Sequence, residues 1–435
     1  MKKRFIFIPF CILLLTAMVF LYIYAFNYNS NNTNTSQPTT EATTETTTEA
    51  TTEATTAPTT APVTEQTISP AKDSYQTQLE NMSLAEKAGQ VVICGLKGYE
   101  IDSDVTSLIQ DSKVGGVILF AKNIKDSTQL ATITNSIKNL SNPEIPPIIA
   151  IDEEGGMVSR MPSDIESMPS AYSIAQTGST DLCYQSGEII GKQLNALGLS
   201  TGFSPVLDIW SNPDNMIISS RAYGTTPEDV STYATQAMLG LKSQEVIPVG
   251  KHFPGHGDTL DDSHYSLPVI TKTKSELESY EFIPFKTAID NGIPAIMVGH
   301  LLCTDIDNTY PASLSKTMVT GILKTELGFN GVVFTDDLTM DAIDNQYSVE
   351  DAGVMALNAG CDMLLVCHGY DNATNTINNI ISAVENGTLS ESRLNDAVYR
   401  ILKLKSEYGI TCNNVGTPDT SALNQLVNDF NSSLQ

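Results

Sequence analysis

"GVVFTDD", residues 331–337, runs through consecutive apolar positions and ends on two carboxylates. A run apolar on both faces is the signature of a parallel strand buried between layers, because a strand with one wet face alternates instead. Seven further runs have the same character: VVICGL (91–96), GGVILF (115–120), PIIAID (147–152), GFSPVLDI (202–209), IPVGKH (247–252), AIMVGH (295–300) and DMLLVC (362–367). Segments able to form helices separate them, such as "SELESYEFIPFKTAIDNG" before the sixth and "SVEDAGVMALNAG" before the eighth. Eight strand-helix units within about 330 residues predict an α/β fold of the (β/α)8 TIM-type barrel, with an open doubly wound sheet as the alternative that periodicity leaves standing.

Polar residues concentrate where these runs stop. Asp152, Asp208, His252, His300 and Asp336 each lie at or beside a carboxyl end. In a parallel barrel those ends share one mouth, so five strands are expected to deliver polar groups to a common rim.

Outside this region the sequence changes character. After MKKR, residues 5–26 carry no charge and as a helix would extend about 33 Å, enough for a bilayer core. Residues 1–26 therefore read as an N-terminal membrane anchor or signal sequence. Lys2, Lys3 and Arg4 place the rest of the chain outside the cell, single-pass if the segment is retained and secreted if it is cleaved. Residues 27–69, with "TTEATTEATTAPTTAP", lack apolar periodicity and read as a disordered Thr/Glu/Ala/Pro-rich linker. The barrel is expected over 70–412 and a C-terminal tail over 413–435.

The chain has 24 basic and 50 acidic residues and a net charge of -26, which opposes nucleic acid as a partner. Its seven cysteines, at 11, 94, 183, 303, 361, 367 and 412, show no zinc-ribbon spacing. Cys361 and Cys367 flank a predicted strand, and a separation of about 20 Å in extended chain forbids a bridge between them.

"KHFPGHGDTLDDSH" (251–264) holds three of the five histidines. His252 and His256 have zinc-helix spacing, but Pro254, Gly255 and Gly257 break any helix there, and no metal is expected. Asp262 and His264 are two apart; in extended chain both side chains project the same way, and the carboxylate can hold the imidazole for proton transfer. Asp336, at the end of the seventh run, faces the mouth and can act as a nucleophile on a sugar's anomeric carbon. Asp337 points elsewhere, as a helix cap or support. Asp152 offers acceptors for paired hydroxyls, whereas Lys251, Arg160 and Arg221 offer donors.

At these residues the chain resembles the family 3 glycoside hydrolases, and within them the bacterial β-N-acetylhexosaminidases of single-domain type. The matching stretches are MSLAEKAGQ (82–90), IDEEGGMVSR (151–160), SRAYG (220–224), KHFPGHGDTLDDSHYSLP (251–268), FTDDLTM (334–340) and GTLSESRLNDAVYRILKLK (387–405). The resemblance implies Asp336 as nucleophile, His264 as acid/base and Asp262 as its partner, with Asp152, Arg160, Arg221, Lys251 and His252 binding a terminal N-acetylglucosamine. It implies retaining hydrolysis without a metal or organic cofactor. The N-terminal anchor and linker point to extracellular substrates, with peptidoglycan fragments or chitooligosaccharides as the candidates. No protein partner is inferred. A histidine acid makes the site less negative, so phosphorolysis is the nearest enzymatic alternative. A catalytically inactive, membrane-tethered sugar-binding protein is the alternative from another class.

Overall fold

The structure, a computed structural model, describes residues 74–259, 263 and 266–434. The expected anchor and linker, residues 1–26 and 27–69, lie outside the described residues. Among the described residues no helix is long and apolar enough to cross a membrane.

Among the described residues there are nine strands: β1 (Val92–Gly95), β2 (Gly116–Ile118), β3 (Ile148–Ala150), β4 (Val249–Phe253), β5 (Val269–Ile270), β6 (Ala295–Val298), β7 (Leu302–Cys303), β8 (Val332–Asp337) and β9 (Met363–Val366). Seven form one parallel sheet in the order β3-β2-β1-β9-β8-β6-β4, while β5 and β7 pair separately. The seven include every expected run but GFSPVLDI, and each is buried along its length apart from half-buried Asp336. Their continuous apolar character follows from helices that cover the sheet.

GFSPVLDI differs from expectation. It forms no regular strand, because Pro205 lacks the amide donor that a ladder needs. Its backbone still bonds in both directions. Ile151 and Glu153 donate to the Thr201 and Gly202 carbonyls at 3.2 and 2.7 Å. Val249 and Lys251 donate to Ser204 and Pro205 at 2.8 and 3.2 Å. This irregular segment thus joins the two edge strands, β3 and β4, in the eighth position.

Local chemistry sets the helix starts. Asp102, Asp126, Ser179, Thr226, Ser348 and Ser390 each accept an amide of the following first turn through the side chain, and Ser83 with Glu86 forms a reciprocal capping box. Asp362, fully buried before β9, accepts from Lys324 Nζ at 3.0 Å, Arg393 Nη2 at 2.7 Å and the Val333 amide at 3.0 Å. It pins the helix Glu391–Glu407 to the amino ends of β8 and β9, away from the mouth. Within residues 413–435, Thr420–Ser433 is a helix that buries Leu423, Val427 and Phe430. Cys94, Cys183, Cys303, Cys361, Cys367 and Cys412 are free thiols.

Candidate active site

The carboxyl ends of β3, β4 and β8 open into a cavity of about 340 Å³. Asp152, Arg160, Arg221, Lys251, His252 and Asp336 all line it. Asp262 and His264 lie outside the described residues; Ser263, between them, lines the cavity too.

Asp152 and Glu154 follow β3 and meet Lys251 from β4. Lys251 Nζ donates to Asp152 Oδ1 at 3.0 Å and to Glu154 Oε1 at 2.7 Å. Arg221 closes a fork on the same Glu154 carboxylate, with Nε and Nη2 both at 2.8 Å, while its Nη1 donates to the Ile217 carbonyl at 3.1 Å. The donors expected from Arg221 therefore have acceptors within the protein. Burial opposes ionisation of Glu154, but the charges of Arg221 and Lys251 outweigh it and hold the carboxyl well below its ordinary range. Burial likewise opposes the charge on Lys251, and Glu154 and Asp152 overcome that, raising its pKa.

Glu153, between these two, points away from the network. It is fully buried and accepts from Ser159 Oγ at 2.7 Å, the Arg160 amide at 2.8 Å and the Gly155 amide at 3.2 Å. It shapes the turn that returns Arg160 to the cavity. Gly155 and Gly156 have φ of 78° and 57°, a left-handed turn that disfavours side chains. Burial raises the Glu153 carboxyl to about 7.

Asp208 and His300 were expected at the mouth, but neither lines the cavity; both are fully buried supports. Asp208 accepts the His252 Nδ1 proton at 2.7 Å and the amides of His252 and His256 at 3.2 and 2.7 Å. An ionised carboxylate only accepts, so His252 carries its proton on Nδ1 toward Asp208. Burial works against the Asp208 charge, but His252 prevails and lowers its pKa. His256 is held by Thr259 Oγ at 2.6 Å and Ser263 Oγ at 3.4 Å. His300 donates from Nε2 to the Asp337 carbonyl at 2.9 Å and accepts Ser313 Oγ on Nδ1 at 2.7 Å, which fixes the backbone beside Asp336. Burial lowers its pKa.

Asp336 is half-buried and its Oδ1 accepts the Asp337 amide at 2.8 Å. Asp337 accepts from the Cys367 amide, the Thr339 amide and Thr339 Oγ at 3.0, 3.0 and 2.7 Å, a supporting role, but it was expected to point elsewhere and it lines the cavity beside Asp336. Trp210 follows the Asp208 segment, donates its amide to Gly224 at 3.1 Å and meets the Tyr172 ring edge-on.

Glu153 and Glu154 were not singled out in the sequence. Their only signal is a carboxylate doublet ahead of a Gly-Gly turn. Glu154's partners come from positions 221 and 251, a meeting that only the fold creates. Among the described residues no group of three or more His, Cys, Asp or Glu side chains is arranged to hold a metal ion.

Residues 83–404 match the family described as Glycosyl hydrolase family 3 N terminal domain. A Beta-hexosaminidase of Nitrosomonas eutropha is 35% identical over 300 residues, covering 67% of this chain and 85% of the relative. A Beta-hexosaminidase of Neisseria meningitidis serogroup B is 34% identical over 288 residues, covering 64% of this chain and 78% of the relative. Among solved structures, a glycoside hydrolase family 3 β-N-acetylglucosaminidase from Paenibacillus sp. str. FPU-7 superposes with a TM-score of 0.75 at 36% identity, covering 80% of this chain and 68% of that one.

Proposed function

The chain belongs to glycoside hydrolase family 3, and from that premise we propose that it is a retaining β-N-acetylhexosaminidase releasing terminal, non-reducing β-linked N-acetylglucosamine from glycans. The observation that carries the reading is the shared cavity: Asp336 opens into the same space of about 340 Å³ as Asp152, Arg160, Lys251 and His252. That volume lies at the small end of ligand sites, as suits the end of a glycan and not a long stretch of it.

In this reading Asp336 attacks the anomeric carbon as His264, held by Asp262, protonates the leaving oxygen. A covalent glycosyl ester forms on Asp336, and the acceptor leaves as an alcohol. His264 then takes a proton from water, which attacks the same carbon and frees Asp336. Asp152, Lys251, Arg160 and His252 bind the sugar's hydroxyl and amide groups, while Arg221 acts by holding Glu154. Residues 70–412 form the catalytic unit, residues 1–26 anchor it or direct its export, and residues 27–69 act as a tether. The substrates are then extracellular, with peptidoglycan fragments and chitooligosaccharides as the two classes.

The test is turnover of an aryl N-acetyl-β-glucosaminide with EDTA present, with and without phosphate. Free N-acetylglucosamine formed at the same rate in both, and its loss by about 10³-fold or more in Asp336→Ala, supports the reading. Formation of a sugar phosphate makes the protein a phosphorylase. Normal turnover in Asp336→Ala removes that residue from the mechanism.

A further inference from the structure

One part of the cavity mouth lies outside the residues assigned above to the terminal sugar. Phe120, just beyond β2, and His368, just beyond β9, both line the cavity. Their rings stack with centroids 5.3 Å apart and planes at 30°. β1 separates these two strands in the sheet, so the stack reaches across the end of β1. His368 is exposed, and Phe120 is half-buried with part of its ring against the core, so the pair presents its remaining aromatic surface at the rim. Lys122 Nζ stands 3.4 Å from His368 Nδ1 and 5.6 Å from the Phe120 ring centre. Among the described residues no carboxylate pairs with Lys122. His368 Nε2 is 3.7 Å from Asp337 Oδ2, which places the stack beside the strand end carrying Asp336. Lys251 and His252 come from β4, at the far edge of the sheet.

Pyranose rings carry apolar C–H faces with partial positive charge, complementary to the negative face of an aromatic ring. We propose that Phe120 and His368 form the stacking platform of an acceptor-side subsite, which takes the pyranose ring leaving with the cleaved oxygen, with Lys122 donating to one of its oxygens. The proposal rests on the hydrolase reading and adds its substrate class: a glycan whose second residue is a pyranose, in preference to a glycoside of a small alcohol.

The test compares N,N′-diacetylchitobiose with methyl N-acetyl-β-glucosaminide. Both have poor leaving groups whose oxygen must be protonated for departure as an alcohol, and only the first brings a second ring. His368→Ala should lower kcat/KM for the disaccharide about tenfold more than for the methyl glycoside, and His368→Phe should restore most of that difference. Equal effects on the two substrates overturn the platform. Binding of the intact disaccharide by calorimetry, in Asp336→Asn with and without His368→Ala, gives a readout free of turnover. About tenfold weaker binding on loss of His368 supports the platform, and unchanged or undetectable binding in both overturns it. If the unaltered protein cleaves neither substrate, the proposed reaction fails while the calorimetry still decides the subsite.

Discussion

Glu154 balances two cations, buried Lys251 and half-buried Arg221, on one carboxylate. Removing one member of such a group leaves the others charged and dry, so Glu154→Gln should lose about 3–5 kcal/mol at neutral pH by urea denaturation. The carboxyl's pKa is depressed on folding, so its contribution is complete above its ordinary value of 4.5 and is lost as pH falls well below it. A loss under about 1 kcal/mol would mean the cations find other partners. Glu153 has the opposite sign. Its folded pKa of about 7 lies above the ordinary 4.5, so between those values the unfolded chain releases a proton the folded chain keeps. Stability therefore declines as pH rises through that window. Glu153→Gln removes the titration, and its stability relative to the unaltered protein should rise by about 3 kcal/mol from pH 4.5 to 8. A pH-independent difference would assign Glu153 no buried titration. For His264, loss of the imidazole should slow poor leaving groups far more than activated aryl glycosides, and equal slowing would argue against a proton donor.

At the scale of elements, the site depends on how closely two loops approach. A Cβ on Gly257 would fall 1.6 Å from the Ile209 carbonyl oxygen, a backbone atom with nowhere to go. Gly257→Ala should therefore push the loop bearing His256 off the Asp208 segment, costing about 2 kcal/mol or more and most of the turnover. Unaltered thermal stability and kinetics would show that the loop relaxes freely. The same elements show what was readable beforehand. Seven strands and the polar residues at their ends follow from apolar runs and chain order, which are local properties. GFSPVLDI carried its own warning in Pro205, since a proline cannot serve a regular central ladder. His300 was located at the right strand end and Asp208 at the end of the irregular eighth segment, but whether an end residue faces the mouth or sits beneath it depends on packing between neighbouring segments. Glu154 depended on contacts across the fold, and the short β5–β7 pairing was too brief to leave a periodic pattern.

Across the molecule, the final helix secures the outside of the scaffold. Asn424 accepts the Glu166 amide at 2.8 Å and donates to the Asp164 carbonyl at 3.1 Å, so Thr420–Ser433 grips the loop that follows Arg160. Phe430, farther along the same helix, is buried. Phe430→Ala should cost about 3 kcal/mol in denaturant unfolding, with a smaller effect on turnover because the cavity is lined elsewhere. A cost near zero would show a helix that rests on the domain without supporting it. The chain also contains a single tryptophan, Trp210, two residues beyond Asp208 and bonded to Gly224 in the Arg221 segment. Its indole is thus a built-in optical probe. Selective excitation reports one environment, without the averaging of a multi-tryptophan protein, and because Trp210 does not itself line the cavity, a spectral shift or quench on adding sugar would report a rearrangement of the Asp208 and Arg221 segments behind it.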